Sequence, residues 1–214
     1  EYAERLLTDL EGLAWPDSIK EMQVNWIGKS EGTVVKFNVE GQSFDLETFT
    51  TRVDTLFGVT GVMVAPEHPM MDQLITKDQQ QKVKEYIKKV QGKSDLERTE
   101  LNKEKTGVFT GSYAINPANN QKVPVWVADY VLGFYGTGAV MLVPAHDERD
   151  FAFAEKYNFP VVAVIKGENS KLPFVGRGTL VNSDSFNGVD NQQAKKDITN
   201  HLLNKYNPIL RIHI

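Results

Sequence analysis

The sequence predicts an α+β fold: a curved β-sheet or β-barrel core with peripheral helices. Three observations lead there. Runs with a two-residue apolar period dominate the chain, as in "TVVKFNVE" and "SFDLETFT". Helical stripes interrupt these runs at irregular intervals, not in the strict alternation of a doubly wound sheet. The 214 residues, 41% of them apolar, suffice for one substantial core.

The elements follow in order. Tyr2, Leu6, Leu10 and Leu13 form a helical stripe, and Trp15-Pro16 breaks it. Ser18 to Glu21 has capping-box spacing and opens a second short helix ending near Gly28, so residues 1–28 read as a packed helical stem. "TVVKFNVE", Gly41 and "SFDLETFT" predict two strands and a tight turn. "VTGVMVAPEHP" predicts a strand stopped by Pro66 and Pro69. "KDQQQKVKEYIKKVQGK" carries Val83, Ile87 and Val90 on one face and predicts an exposed amphipathic helix; residues 93–106 read as loop or frayed helix. "VPVWVADYVL" predicts a long strand after a turn in "NPANNQ", and "YGTGAVMLVPAH" a glycine turn feeding a buried strand. "HDERDFAFAEKYN" predicts a helix with Phe151, Ala154 and Tyr157 as its apolar side, and "FPVVAVI" a core strand. Residues 176–189 are turn-rich, and "NQQAKKDITNHLLNKY" predicts a closing helix.

Composition removes several function classes. There is no cysteine, which excludes disulfides and thiolate metal sites. No apolar run reaches the ~20 residues of a membrane helix. The N-terminal "EYAERLLTDLEG" is acidic and amphipathic, unlike a signal or transit peptide, and a piece of a longer polypeptide is expected. A net charge of −4 argues against a broad electrostatic grip on nucleic acid but leaves room for a small site for one nucleotide end.

The motifs narrow the field further. "IGKS" and "QGKS" lack the glycine a phosphate-binding loop needs, with Gln23 and Ile87 at those positions. "GTGAVM" has Met141 where a dinucleotide fingerprint has its third glycine, and a strand follows. "HDERD" carries three readings. Its acids complement a helix dipole; His146 with the aspartates and His68 holds a metal, without any recognised ligand spacing; or one carboxylate binds a cationic ligand group. No Ser-His-Asp or Cys-His set is visible, so an enzyme of this sequence is expected to work without a covalent nucleophile. "FTTRVDTLFG" places threonines, Arg52 and Asp54 at a strand end, where a packed strand needs none of the charges.

Together, "NWIGKSEG", "FTTRVDTLFG", "APEHP", "VPVWVADYVL", "YGTGAVMLVPAHDERDFAFAEKYNFP" and "GTLVNSDSFNG" resemble, in this order, the editing (connective peptide 1) domain of bacterial or organellar leucyl-tRNA synthetases. The resemblance covers residues 1 to about 195. It implies a stem over 1–28, an editing domain over 29–205 and a tail over 206–214. It implies hydrolysis of tRNA(Leu) mischarged with isoleucine- or norvaline-type amino acids, with leucine rejected. The alternative is a non-catalytic module that binds the tRNA acceptor end and needs the full synthetase for turnover.

In that family's terms Thr55 is the gate against leucine, while Tyr135, Met141 and Val143 line the pocket. Asp150 holds the substrate's α-ammonium. Thr50 and Thr51 hold the ester region and the attacking water. Arg52 steadies the terminal ribose or phosphate, and Asp147 and Arg149 fix the loop. No metal or cofactor is implied for editing. ATP and magnesium belong to the parent synthetase, whose H-I-G-H and K-M-S-K-S signatures are missing from this sequence. The implied partners are the 3′ end of mischarged tRNA(Leu) and the rest of the synthetase chain, with no membrane. A monomer in the cytoplasm, or in an organellar matrix, is expected. Val53 stands where the family has proline, and the tail "NPILRIHI" departs from the family's return segment.

Overall fold

The computed structural model describes residues 3–27, 30–92, 97–98, 104–134, 136–168, 171–206 and 210–213. Alternating valines and phenylalanines pull β1 (Ser30–Val39) and β2 (Asp45–Thr50) into an antiparallel hairpin, paired from Thr33 with Thr50 to Asn38 with Asp45. Gly41 turns the hairpin at φ +73°, a conformation that costs glycine little. β3 (Gly61–Val64) follows, then β4 (Gly107–Ile115), β5 (Lys122–Ala128) and β6 (Ala139–Leu142). The strand order is β2-β1-β4-β5-β3-β6, and β6 comes back against β2, so the sheet curls on itself. Among the described residues, only β3 and β5 pair in parallel. A small second sheet joins β7 (Ile165–Lys166) to β8 (Thr179–Leu180).

Both faces of the central strands are buried, which explains their unbroken apolar character. Val62 and Val64 of β3 join Val123, Val125 and Val127 of β5 in the larger core cluster. Met63 and Ala65 point the other way, into a second cluster with Tyr130, Leu142 and Phe153. That second cluster is aromatic. Trp126 packs on Tyr157, Phe159 and Phe153 at centroid separations of 5.0, 5.3 and 5.9 Å.

Helices flank the sheet: α1 (Ala3–Glu11), α2 (Asp17–Ile27), α3 (Met71–Leu74), α4 (Gln80–Val90), α5 (Glu148–Tyr157) and α6 (Asn191–Tyr206). None is long and apolar enough to cross a membrane. Val83 and Val90 of α4 are buried as its periodicity requires.

Several expectations need correction. The stem helices form and break at Trp15-Pro16, but they are not packed: Leu10 is buried, Leu6 and Leu13 are exposed, and Trp26 is 86% exposed. Helix α2 starts at Asp17 because the Pro16 carbonyl accepts the first helical N–H groups, from Ile19 and Lys20; Ser18 is inside the helix. The strand in "VPVWVADYVL" ends at Ala128, where the Asp129 side chain turns to accept bonds from Thr106. "FPVVAVI" contributes only Ile165 to a strand: Val161 faces outward, the Val164 N–H goes to the His146 ring and the Ala163 carbonyl to the Asn182 side chain, so no regular ladder forms before Ile165. The buried side of α5 is Asp150, Phe153 and Ala154 in place of Phe151. Strand β4 was not expected at all. In the tail, Leu210–His213 lies antiparallel to the start of β1.

Candidate functional site

The site forms where β2 ends, β6 ends and α5 begins. Thr50 closes β2, and its Oγ1 accepts the Arg52 backbone N–H at 2.9 Å, a hydroxyl turn that bends the chain out of the sheet. A tight 3-10 turn, Val53–Gly58, follows, with every residue buried. Two distant asparagines pin it. Asn116 donates to the Leu56 carbonyl at 2.8 Å, and Asn191, at the start of α6, donates to the Asp54 carboxylate at 3.2 Å. Asp54 is wholly buried and answers Arg52 in a forked pair, with Nε and Nη2 at 3.0 and 3.1 Å from its oxygens. Buried and forked, this pair fixes geometry more than a surface ion pair does.

The same turn orients Thr55. Its Oγ1 donates to the Arg52 carbonyl at 2.7 Å, and the residue is only 1% exposed. The hydroxyl is tethered and the β-branched side chain is stiff at χ1, so Thr55 presents a fixed wall.

Opposite it, Asp147 caps α5. Its side chain accepts the backbone N–H groups of Arg149 and Asp150 at 2.9 and 3.1 Å. Arg149 reaches back to Asp147 at 3.5 Å on the exposed side. Asp150 then begins a helical stripe with Phe153, Ala154 and Tyr157, spaced i, i+3, i+4 and i+7. Burial of that stripe turns Asp150 inward. Its Oδ2 accepts the Val143 N–H at 2.8 Å and its Oδ1 accepts the Tyr130 hydroxyl at 3.3 Å. Removal from water, then the neighbouring Asp147 charge, push its pKa from 3.8 up to about 7. Burial and the Asp150 charge push Tyr130 well above its usual range, which keeps it a donor.

His146 joins the walls. Its Nε2 accepts the Val164 and Ile165 N–H groups at 2.9 and 3.2 Å, so the proton sits on Nδ1 and donates to the Phe174 carbonyl at 2.8 Å. Both ring nitrogens are committed to backbone, which corrects the metal-ligand reading of His146. Burial holds its pKa below 6.5. His68 Nδ1 likewise accepts the Met70 N–H at 3.2 Å.

These residues enclose one cleft of about 410 Å3. Of the residues singled out from sequence, Thr50, Thr51, Arg52, Thr55, Met141, Val143, Asp147, Arg149 and Asp150 all line it. Tyr135 lies outside the described residues. Sequence reasoning missed Phe49, Tyr130 and His146 as walls of the cleft. Tyr130 was hidden inside an expected strand, and its position depends on Arg98. The buried Arg98 guanidinium donates to the carbonyls on either side of Tyr130, Asp129 and Val131, at 2.7 Å each, while Glu67 balances its charge at 2.6 Å. No local pattern in a polar stretch announces such a clamp.

The fold and cleft define a domain that can take a small ligand with a cationic end and a compact apolar body. The carboxylate lies in the apolar floor and the hydroxyls at the strand end. The chain belongs to the leucyl-tRNA synthetase editing-domain family, whose model matches residues 24–203. It is also similar to the crystal structure of the ternary complex of Agrobacterium radiobacter K84 agnB2 LeuRS, tRNA and LeuAMS, with a TM-score of 0.76 and 37% identity. That match covers 99% of this chain and 24% of that one, so the chain spans about a quarter of the synthetase's length.

Proposed function

We propose that this domain hydrolyses the ester between tRNA(Leu) and a non-cognate amino acid of the isoleucine or norvaline type, and spares leucine. One observation carries the reading: the desolvated Asp150 carboxylate and the immobilised Thr55 side chain line the same cleft. A carboxylate has about four lone-pair sites. Val143 and Tyr130 use two of them, which leaves room for the N–H groups of an α-ammonium. That cation would pull the Asp150 pKa down and strengthen its own hold. A single methyl group is worth ~1–3 kcal/mol in a pocket, too little for one binding step to sort such amino acids. A second pocket that excludes the larger cognate shape supplies the rest.

In the reaction, water adds to the ester carbonyl carbon. The carbon–oxygen bond to the ribose then breaks, the ribose oxygen takes a proton, and the free amino acid leaves. Thr50, whose hydroxyl proton has no partner among the described residues, and Thr51 are the donors for the developing oxyanion and the water. An aminoacyl ester is already activated, so orientation and oxyanion stabilisation suffice without a strong base. Arg52 commits Nε and Nη2 to Asp54, and Nη1 is the group left for the terminal ribose or phosphate. Residues 1–28 would join the domain to the rest of a synthetase, which supplies ATP- and magnesium-dependent leucine activation. The domain itself would act without a cofactor, as a monomer, in the cytoplasm or an organellar matrix.

The test is deacylation of isoleucyl-, norvalyl- and leucyl-tRNA(Leu) by the isolated chain. The first two should be hydrolysed and the third spared. Equal rates on all three, unchanged in Asp150→Ala, would overturn the reading.

A further inference from the structure

A second, more open cleft of about 410 Å3 lies on the other side of the Thr50–Thr51 turn. Those two threonines line both recesses, so the clefts share a wall. The far side of the second cleft is α6. Its Ala194, Ile198 and Leu202 are buried in the core, which turns the adjacent face of the helix toward β1. On that face Lys195 and Thr199 are four residues apart. The Thr199 hydroxyl pairs with that of Thr33 on β1 at 2.9 Å and seats the helix against the strand. Lys195 and Lys196 thus stand at a defined place beside the turn, and neither makes an ion pair among the described residues. Gly32, Thr33 and Asn200 complete the lining, and Val53 adds little surface because it is buried.

We propose that this second cleft binds the nucleotide that precedes the esterified terminal adenosine, with its phosphodiester on Lys195 and Lys196. The proposal rests on the editing reading above, which puts the terminal nucleotide in the neighbouring cleft. It follows from two features: two cations that make no ion pair among the described residues, in a chain of net charge −4, and a shared threonine wall across which one phosphodiester link can pass. Lysine suits this task as a point charge on phosphate. The site reads backbone charge, so it would be indifferent to the identity of the base.

The test uses two probes. One is the fluorescent trinucleotide CCA, which carries phosphodiesters. The other is isoleucyl-adenosine, which carries none. In the double variant Lys195→Glu/Lys196→Glu, affinity for the trinucleotide should fall at least tenfold, and the slope of log affinity against log salt should shrink by about 0.7, the value for one neutralised phosphate in a single strand. Lys195→Arg/Lys196→Arg should retain the affinity. Hydrolysis of isoleucyl-adenosine should be the same in all three proteins. Equal loss on both probes, or an unchanged trinucleotide affinity and salt slope, overturns the second cleft. Trinucleotide binding is read without turnover, so a chain that binds the trinucleotide but does not hydrolyse isoleucyl-adenosine overturns the editing reading alone.

Discussion

Asp150→Asn should stabilise the fold at neutral pH while abolishing hydrolysis. Moving a carboxyl's pKa from 3.8 to about 7 makes its ionisation in place cost about 4 kcal/mol more than in water, at 1.36 kcal/mol for each pH unit. The sign is fixed by proton binding. Below pH 3.8 both folded and unfolded chains hold the proton, and the residue contributes no pH dependence. Between 3.8 and about 7 the unfolded chain has lost it and the folded chain has not, so stability falls as pH rises. Above about 7 the full cost is present. Asparagine keeps the geometry: its carbonyl can accept the Val143 N–H, and its amide can donate to the Tyr130 oxygen. The variant removes the ionisation cost and leaves the bonds. Urea denaturation of both proteins from pH 4 to 8, followed by Trp126 fluorescence from the aromatic cluster, isolates the effect, because titrating groups remote from Asp150 cancel in the difference. The variant's advantage should be near zero at pH 4, grow to about 2–4 kcal/mol at pH 7, and then level off. A difference that stays flat across that range would show that the carboxylate is not desolvated, and would refute the reasoning.

Other outcomes follow from the same geometry. Thr55→Ala removes the wall tethered to Arg52 and should admit leucine, so that leucyl-tRNA(Leu) is hydrolysed at least tenfold faster than by the parent; continued protection places the gate elsewhere. Tyr130→Phe deletes the hydroxyl that favours ionised Asp150, so the acid limb of the hydrolysis rate against pH should move upward, whereas a merely structural tyrosine would lower stability and leave that limb in place. Neutral His146 is required as an acceptor for two backbone N–H groups, and its folded pKa lies below 6.5. Its stabilising contribution is therefore complete above 6.5 and lost as pH falls toward the folded value; replacing it with glutamine should flatten that part of the stability profile measured by thermal melts. Phe153→Ala should cost about 3–5 kcal/mol in denaturation, from the buried ring in the second core cluster.

Local patterns were legible wherever the stabilising partner was near in sequence. The β1–β2 hairpin, the glycine turn before β6 and helix α6 each carry their own period and turn residues. Strand β4 does not. Gly107, Gly111 and Ser112 dilute its apolar alternation, and the pairing slips between Phe109 and Tyr113. Gly111 is there because any Cβ would strike Thr76, a constraint from thirty-five residues away. The site divides the same way. Thr55, Met141, Val143 and Asp150 could be named from family motifs, but periodicity alone does not bring residues so far apart in the chain into one cleft. The groups that fix them, Asn116, Asn191, Arg98 and Tyr130, act across long separations and leave no local trace.

A carboxylate that costs about 4 kcal/mol to ionise needs a reason to stay buried. Turning α5 by one residue would carry Asp150 into water, but it would also bring Phe153 and Ala154, each 1% exposed, out of the second core cluster. Exposing a phenylalanine forfeits about 1.5–3 kcal/mol of burial. The edge and tilted contacts of Phe153 with Trp126, Tyr130 and Tyr157 add about 0.5–1.5 kcal/mol each. Together these terms come to about 3–7.5 kcal/mol, a range centred above the ionisation cost, so the aromatic side of α5 holds the acid in place even though water would be the better solvent for it. The carboxylate is therefore kept underhydrated until a cation arrives, which is the condition under which an α-ammonium gains most from meeting it. Weakening the anchor should then loosen the site before the fold is lost: Phe153→Leu should lower the apparent pKa of the acid limb, as Asp150 reaches water, at a denaturant concentration where the protein is still folded. An unchanged limb in that variant would mean that Val143 and Tyr130 hold the acid without help from the helix.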